Sequence, residues 1–313
     1  MTPGGLAEPP KLPRAQAGAQ PQHLIVTLLG DYWYGRSEPL PSAGLVSLMS
    51  EFDISPSSAR TALSRLARRG LLTVSKVGRS TFYSPTPYAE RVLKEGRERL
   101  FSFGDDSLDP WDGSWLVVVF SVPEEQRDMR HMLRTRLRWL GFGPLYDGVW
   151  VSPRADAEAV AAALAECDVD QATVLRTVAV ELAGASTRDP LSAWNLDELR
   201  AAYEQFIERF EPLLERVRTG RVSVSEALTE RTAIMDTWRT FPDLDPELPE
   251  SMLPADWPRK RAREIFVKAY DTLGPLAEFR FRQVIAEHAP GLAHLASHFT
   301  TDTALRVPEG LSA

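Results

Sequence analysis

The segment from 55 to 84 concentrates positive charge in a chain that is acidic as a whole. The formal net charge of the chain is −7, yet this segment contains six basic residues and no acid, and no acid occurs between Asp53 and Glu90. Residues 21–100 contain 11 basic and 7 acidic residues, whereas residues 101–313 contain 23 basic and 35 acidic residues. Because this asymmetry is typical of a basic module joined to an acidic body, the segment is a candidate for binding a polyanion.

The first half of this segment has the pattern of an amphipathic helix with defined ends. Ser55 is a candidate N-cap, Pro56 stands at the first helical position, and Gly70 has the residue type preferred just beyond a helix C-terminus. Apolar residues at helical spacing form an inward stripe: Ala59, Ala62, Leu63 and Leu66. The outward set consists of small hydroxyl side chains interleaved with arginines: Ser57, Ser58, Arg60, Thr61, Ser64, Arg65 and Arg68.

This outward set suits the recognition of double-stranded DNA. Short Ser and Thr side chains allow a helix to approach the base edges, and arginine can pair with guanine O6 and N7 or bind phosphates. A carboxylate on the same face would be repelled by the DNA backbone, so the absence of acids agrees with this chemistry. The alternative is a solvated basic face, which is what a run of charge usually is. The order of the neighbouring elements favours DNA binding.

Those neighbouring elements are in the order of a winged helix-turn-helix. Two helical patterns precede the basic helix, "PQHLIVTLLGDYW" and "SAGLVSLMSEFD", and Ser42 is the expected N-cap of the second. After the basic helix, "LLTVSK" and "STFYS" flank "VGR" as the strands of a β-hairpin. Lys76 and Arg79 lie at the hairpin tip, where a wing contacts phosphates or the minor groove. We expect these two residues to contribute affinity rather than specificity.

The chain divides by pattern into four parts, and the predicted fold class is α+β. Residues 1–20, rich in Pro, Gly, Ala and Gln, are expected to form a flexible tail, and residues 21–103 the winged helix-turn-helix domain. Residues 111–183 read β-α-β-α-β, which indicates a ferredoxin-like α/β sandwich with one strand still to be placed. Residues 192–305 are expected to form a helical C-terminal domain. The core of the middle domain is expected to contain four tryptophans: Trp111, Trp115, Trp139 and Trp150.

Longer motifs in the sequence resemble the PaaX family of phenylacetic-acid-catabolism transcriptional repressors. "ARTALSRLARRGLL" with a basic wing after it resembles the family's first segment, although a helix-turn-helix alone is not specific. The middle segment, "WDGSWLVVVFSVPEEQRDMRHMLRTRLRWLGFGPLYDGVWVSP", is more specific, with its W-x-G-x-W opening, its R-x₂-LR-x₂-L helix and its L-G-F-G turn. "LPESMLPADWP" resembles the family's C-terminal segment, and the resemblance spans roughly residues 20–290.

The resemblance implies a homodimeric repressor that binds an inverted-repeat operator in double-stranded DNA and controls a catabolic operon. The middle domain would resemble the CRISPR adaptation nuclease fold. Members of the family are released from DNA by a small effector, an aryl-acyl-CoA that is typically phenylacetyl-CoA. We therefore expect a DNA-binding protein and not an enzyme, with no catalytic residue, no metal and no cofactor.

Two other functions remain open at this point. A metal-dependent nuclease of the same middle fold needs an aspartate at the end of the first strand, and Ser121 stands there instead. A serine hydroxyl is a poorer ligand for a hard divalent cation than a carboxylate, which argues against cleavage. The second alternative is a protein-interaction adaptor that uses its winged helix for protein contacts.

The predicted middle-domain helix carries arginines at every fourth position: Arg130, Arg134 and Arg138. Residues four apart share one face of a helix, so these three could form an anion site for the phosphates of a CoA effector. The alternative is a solvated or ion-paired helix face, or a face at the dimer contact. On the first of these interpretations, the three residues bind the effector.

The remaining histidines and the single cysteine do not indicate a metal site or a disulfide. His294 and His298 are spaced so that they could share a metal ion, but no carboxylate or cysteine completes the pattern, which favours chance spacing. A single cysteine, Cys167, excludes an internal disulfide framework. No secretory signal pattern occurs, and the longest apolar run, "WLVVVF", is far shorter than the ~20 residues of a membrane span. We therefore expect a cytoplasmic protein with no membrane partner.

Overall fold

The structure is a computed structural model that describes residues 21–105, 111–178 and 188–304. The first 20 residues, predicted to be a flexible tail, lie outside the described residues. The chain is mixed α and β, as predicted, and it splits into two compact units. The first unit comprises Met1–Ser102, Glu208–Arg239 and Glu264–Ala313, and the second comprises Phe103–Ile207 and Thr240–Arg263.

The N-terminal part of the first unit has the element order of a winged helix-turn-helix. Its helices are α1 (Pro21–Tyr32), α2 (Ser42–Ser50), α3 (Pro56–Arg68) and α4 (Pro87–Ser102). Its strands are β1 (Leu40–Pro41), β2 (Leu72–Val77) and β3 (Ser80–Pro85). They form an antiparallel sheet in the order β1-β3-β2, in which β2 and β3 are the predicted hairpin.

Local sequence signals set the ends of α3 as predicted. The Ser55 side chain accepts a hydrogen bond from the Ser58 backbone N–H at 3.3 Å, and Pro56 occupies the first turn, where its missing N–H costs nothing. Gly70 follows the helix with a φ of +69°, the left-handed conformation that glycine adopts most easily.

The prediction of Ser42 as the N-cap of α2 was wrong. Pro41 is the N-cap of α2 because its extended backbone ends β1 there, and no side chain caps this helix.

The winged-helix elements share their core with the C-terminal helices of the first unit. The Thr27 hydroxyl on α1 donates a hydrogen bond to Asp236 on α8 (Val224–Trp238) at 2.9 Å. The ring of Tyr32 stacks on Phe281 of α10 (Arg259–Ala286) with centroids 4.9 Å apart. The first and the last thirds of the sequence therefore close one hydrophobic core.

The second unit contains a four-stranded antiparallel sheet with two helices. Its elements are β4 (Trp115–Phe120), α5 (Arg127–Trp139), β5 (Gly143–Tyr146), β6 (Val149–Ser152), α6 (Ala157–Glu166) and β7 (Ala172–Thr177). The strand order β5-β6-β4-β7 and the β-α-β-β-α-β sequence are those of the ferredoxin-like sandwich. The strand that the sequence left unplaced lies within residues 143–152, which form the hairpin of β5 and β6.

Alternate residues of β4 point into the core of this sandwich. Leu116, Val118 and Phe120 pack together with Trp150 of β6 and with the apolar stripes of α5 and α6. The prediction that Trp139 belongs to this core was wrong, since its side chain is 57% exposed. The buried stripe of α5 is formed by Leu133 and Leu137, and a residue two positions further along the helix points away from it.

The remaining helices are α7 (Leu196–Arg218), α9 (Phe241–Leu244) and α11 (Thr301–Ala304). Within residues 188–304, all regular structure is helical, as the periodicity predicts. The described residues contain no helix that is long and apolar enough to cross a membrane.

Candidate nucleic-acid interface

Helix α3 presents its predicted outward face to solvent. Its stripe of Ala59, Leu63 and Leu66 is fully buried, so the helix is fixed by one face. All seven predicted residues on the other face are exposed: Ser57, Ser58, Arg60, Thr61, Ser64, Arg65 and Arg68. The face is therefore accessible along the whole length of the helix.

The hydroxyl groups at the start of this face hold one another in place. The Oγ atoms of Ser57 and Ser58 each lie 3.0 Å from the Ser55 Oγ. The Thr61 hydroxyl donates to the Ser57 backbone carbonyl at 2.9 Å. Ser55, which the sequence indicated only as a cap, is thus the centre of the hydroxyl cluster. These bonds restrain the side chains before any partner arrives, which lowers the entropy lost on binding.

The three arginines of α3 have no carboxylate partner. Among the described residues, Arg60, Arg65 and Arg68 form no ion pair or side-chain hydrogen bond. Arg69, which directly follows α3, is different, because it is half-buried and donates to the Gln22 side chain at 3.5 Å. The α3 arginines thus keep their full hydrogen-bonding capacity for an external anion.

The wing carries the two predicted cations at its tip. Gly78 has a φ of +60° in the turn, and a side chain there would meet no neighbouring atom within 4 Å. Lys76 and Arg79 are exposed, and neither forms an ion pair with any residue that the structure describes. Val77, which we did not predict as part of the site, lies between them and is 70% exposed. A signal for it existed, since a valine beside the turn of a short two-residue hairpin has little to pack against.

The predicted effector-binding arginines on α5, unlike the arginines on α3, have partners within the protein. Arg130 donates to the Val122 backbone carbonyl at 2.5 Å, and Arg134 pairs with Asp147. Arg138 lies over the Trp150 ring, 5.2 Å from its centroid. Arg134 and Arg138 line one pocket and Arg130 does not, so the structure brings two of the three predicted effector residues together.

The features that would support metal chemistry have ordinary structural partners. Ser121 follows β4 on the surface, and its backbone N–H donates to the Gln171 carbonyl at 3.0 Å. The His298 ring lies 2.5 Å from a carboxylate oxygen of Glu278. Within the residues described, no three His, Cys, Asp or Glu side chains are grouped to hold a metal ion. Cys167 is buried, and burial raises the pKa of its thiol.

The elements and the exposed basic face define a winged-helix protein with a ferredoxin-like second unit. Comparison with family models agrees with this class. The model "PaaX-like protein" matches residues 20–87, "PaaX protein central Cas2-like domain" matches residues 108–189, and "PaaX-like protein C-terminal domain" matches residues 194–283. Together these models account for most of the chain, and the chain belongs to the PaaX family.

Two individual proteins are similar to this chain over most of its length. "Transcriptional repressor PaaX" of Escherichia coli (strain K12) is 28% identical over 263 residues, which cover 81% of this chain and 80% of that protein. Among solved structures, "Uncharacterized protein Rv0674 from Mycobacterium tuberculosis" matches with a TM-score of 0.46 and 20% identity. That match covers 82% of this chain and 96% of the other.

Proposed function

We propose that this protein is a sequence-specific transcriptional repressor that binds double-stranded DNA through α3 and the wing. The observation that carries the proposal is the exposed face of α3, where three arginines stand without a carboxylate partner among the described residues. Membership of the PaaX family and similarity to a named repressor support the same function.

In this mechanism α3 enters the major groove. The cluster of Ser57, Ser58 and Thr61 lets the helix approach the base edges, with Ser64 further along the same face. Arg60, Arg65 and Arg68 reach guanine edges or the flanking phosphates. Lys76 and Arg79 on the wing bind the phosphate backbone, which strengthens binding to any sequence.

The operator is an inverted repeat, and a homodimer presents two copies of α3 to its half-sites. The half-sites are then spaced by about one helical turn of DNA, ~34–36 Å, or by a multiple of it. A small effector shifts the population towards a form that no longer fits this spacing, which requires different affinities for the two forms. By family resemblance, the effector is an aryl-acyl-CoA and the regulated genes form a catabolic operon.

The proposal extends to the location, the catalytic inactivity and the domain division of the protein. The protein is cytoplasmic and is not an enzyme, and its parts are the divisions 21–103, 111–183 and 192–305 read from the sequence. Nuclease activity is disfavoured by Ser121, whose hydroxyl occupies the position at which a metal-binding aspartate is required. A protein-interaction adaptor would not need the unpaired arginines of α3.

The test measures binding of the full-length protein to DNA from upstream of its own gene. Fluorescence anisotropy with that DNA and with a scrambled duplex of equal composition should show preference for the first. Affinity should also fall steeply as salt rises, since counterions are released on binding. Equal affinity for both duplexes contradicts the repressor proposal, and no binding to either at low salt supports the adaptor. DNA cleavage that requires magnesium and stops with EDTA supports the nuclease.

A further inference from the structure

The tip of the wing exposes an apolar side chain between two cations. Val77, the last residue of β2, is 70% exposed, and no other large apolar side chain that the structure describes exceeds 59%. Lys76 precedes it, and Arg79 lies in the turn that follows it. A single exposed valine is ordinary on a protein surface, so its surroundings decide whether it has a role.

The hairpin holds this tip at a defined position relative to α3. Val77 pairs with Ser80 across a two-residue turn, in which only Gly78 has a positive φ. This is the pattern of a type II′ turn, which matches the twist of the two strands. At the base of the hairpin, the Thr86 hydroxyl donates to the carbonyl of Gly70, directly beyond α3, at 2.7 Å. The helix and the wing therefore meet DNA as connected parts of one surface.

The length of the wing matches the distance between neighbouring grooves of DNA. Each strand of the hairpin has six residues, so the hairpin extends over ~20 Å at ~3.3 Å per residue. Half a helical turn, ~17 Å, separates the middle of the major groove from the middle of the neighbouring minor groove. With α3 in the major groove, the wing tip reaches the minor groove beside it. That groove is ~6 Å wide, so the tip enters it and the whole two-stranded ribbon does not.

The side chains around Val77 suit this position. Alternate residues of a hairpin share a face, so Val77 lies beside its cross-strand partner Ser80 and beside Ser75, two positions earlier. Both serines are exposed, small and uncharged. Lys76 points to the opposite face and Arg79 lies in the turn, so the two cations flank the valine. The cations can bind phosphates along the groove while the apolar tip lies between them.

An apolar side chain in the minor groove distinguishes two kinds of base pair. A·T and T·A present only acceptors there, whereas G·C adds the 2-amino group of guanine. A valine methyl group that packs against this amino group excludes water and offers no acceptor, so a donor is left unpaired. The valine therefore selects A·T by rejecting G·C.

We propose that Val77 enters the minor groove beside each half-site and selects A·T over G·C pairs there. The inference rests on the proposed function and deepens it, because the wing then contributes to specificity in addition to its phosphate contacts. The selected base pairs lie about half a helical turn from those that α3 contacts. Because valine is short, it contacts the floor of the groove without separating the stacked bases, unlike the larger wedge residues that kink DNA.

A scan with base analogues in DNA from upstream of the gene tests the inference. Inosine in place of guanine removes the 2-amino group, and 2,6-diaminopurine in place of adenine adds one. Both analogues leave the hydrogen-bonding groups of the major groove unchanged. Each base pair of the duplex is replaced in turn, and fluorescence anisotropy measures the affinity. For the wild type, inosine should strengthen binding and diaminopurine should weaken it by about 5-fold at the flanking positions.

Three variants assign this response to one side chain. In Val77→Ala the response should fall below about 2-fold, because the methyl groups are removed. Val77→Thr keeps the shape and the strand preference of valine, but its hydroxyl can accept a hydrogen bond from the 2-amino group, so the response should also be lost. Val74→Ala is the matched control, since Val74 lies on the same strand, is 46% exposed and points to the opposite face. It should respond like the wild type.

The inference is wrong if no analogue changes the affinity of the wild type, if Val77→Ala responds like the wild type, or if Val74→Ala loses the response equally. Equal affinity of the wild type for upstream and scrambled duplexes contradicts the repressor proposal instead. In that case, an analogue response on the scrambled duplex that disappears in Val77→Ala still supports the minor-groove contact. No binding to either duplex contradicts both proposals. Circular dichroism checks that each variant keeps the fold.

Discussion

The helices α3 and α5 are both amphipathic and rich in arginine, and they differ in what the arginines contact. On α3, Arg60, Arg65 and Arg68 have no partner among the described residues. On α5, four of the five arginines are engaged: Arg130 by a backbone carbonyl, Arg134 and Arg136 by carboxylates, and Arg138 by an aromatic ring. Two arginine-rich helices of one chain therefore differ in how many of their cations remain available to an external anion.

The largest expected effect comes from removing the free cations together. The triple variant Arg60→Ala/Arg65→Ala/Arg68→Ala should lose at least ~100-fold in affinity for upstream DNA, because each lost base or phosphate contact costs about 1–3 kcal/mol. Fluorescence anisotropy measures this loss, and circular dichroism checks that the fold is kept. The α5 variant Arg136→Ala is the control. An equal loss in that variant would remove the distinction between the two helices.

Single substitutions distinguish the role proposed for α3 from the role proposed for the wing. Arg65→Ala should relax the preference at particular operator positions, at ~1–3 kcal/mol if it contacts a base edge. Arg79→Ala should weaken binding to all sequences alike and lower the slope of log affinity against log salt by about 1. Competition with a set of single-base operator variants at two salt concentrations measures both. A uniform loss for Arg65→Ala would assign that residue to the phosphates.

A third arrangement of arginine, a hydrogen-bonded ion pair between elements far apart in sequence, occurs between Arg280 and Glu51. Arg280 on α10 donates to Glu51 beyond the end of α2 at 2.7 and 3.0 Å, and Ser225 donates to the same carboxylate at 2.6 Å. The hydrogen bonds from Arg280 lower the pKa of Glu51, and burial opposes this shift only in part. A lowered pKa stabilises the fold at neutral pH, and this contribution is lost as pH falls through the lowered value.

Glu51→Gln should therefore destabilise the protein by about 1–2 kcal/mol at pH 7, because a charged acceptor of several hydrogen bonds is removed. The difference from the wild type should shrink as pH falls below the usual range of a glutamate pKa, because the wild-type carboxyl becomes protonated as pH falls through its lowered pKa. Urea unfolding at pH 7 and at pH 3.5 measures the two differences. A difference that does not change with pH would show that the charge of Glu51 is not what stabilises the contact.

The smallest expected effect is on the free energy of unfolding when one arginine of α5 and one arginine of α3 are replaced separately. Arg130→Ala removes a donor from the Val122 carbonyl and should cost about 1 kcal/mol. Arg60→Ala removes no contact within the described residues and should change stability by less than about 0.5 kcal/mol. Thermal unfolding of the two variants gives the comparison. Equal destabilisation would mean that Arg60 has a structural partner after all.

Local chemistry made α3 and the wing predictable from the sequence. The Ser55 cap, the Pro56 first turn, Gly70 and the turn at Gly78 each fix the backbone within a few residues, and the outward face follows from helical spacing. Partners distant in sequence could not be predicted. Glu51 and Arg280 are 229 residues apart, and nothing local to either one indicates the other.

The middle domain was predictable in part: its fold class followed from the sequence, and its tertiary contacts did not. Its strand and helix pattern predicted the ferredoxin-like class but left one strand unplaced, and that strand belongs to the β5–β6 hairpin. The turn of that hairpin contains Asp147, which pairs with Arg134, and its second strand carries Trp150, whose ring lies under the Arg138 guanidinium. An anion site was expected from arginine spacing alone, whereas the contacts that distinguish Arg130 from Arg134 depend on tertiary packing.

The shared core of the first unit has a consequence for synthesis on the ribosome. Tyr32 and Trp33 of the winged-helix part stack on Phe281, which is added roughly 250 residues later. At translation rates of about 5–20 residues per second, these two aromatic residues are synthesised on the order of tens of seconds before Phe281. The region that emerges first is then among the last to be completed, and the nascent chain must keep its aromatic residues from aggregating until α10 arrives.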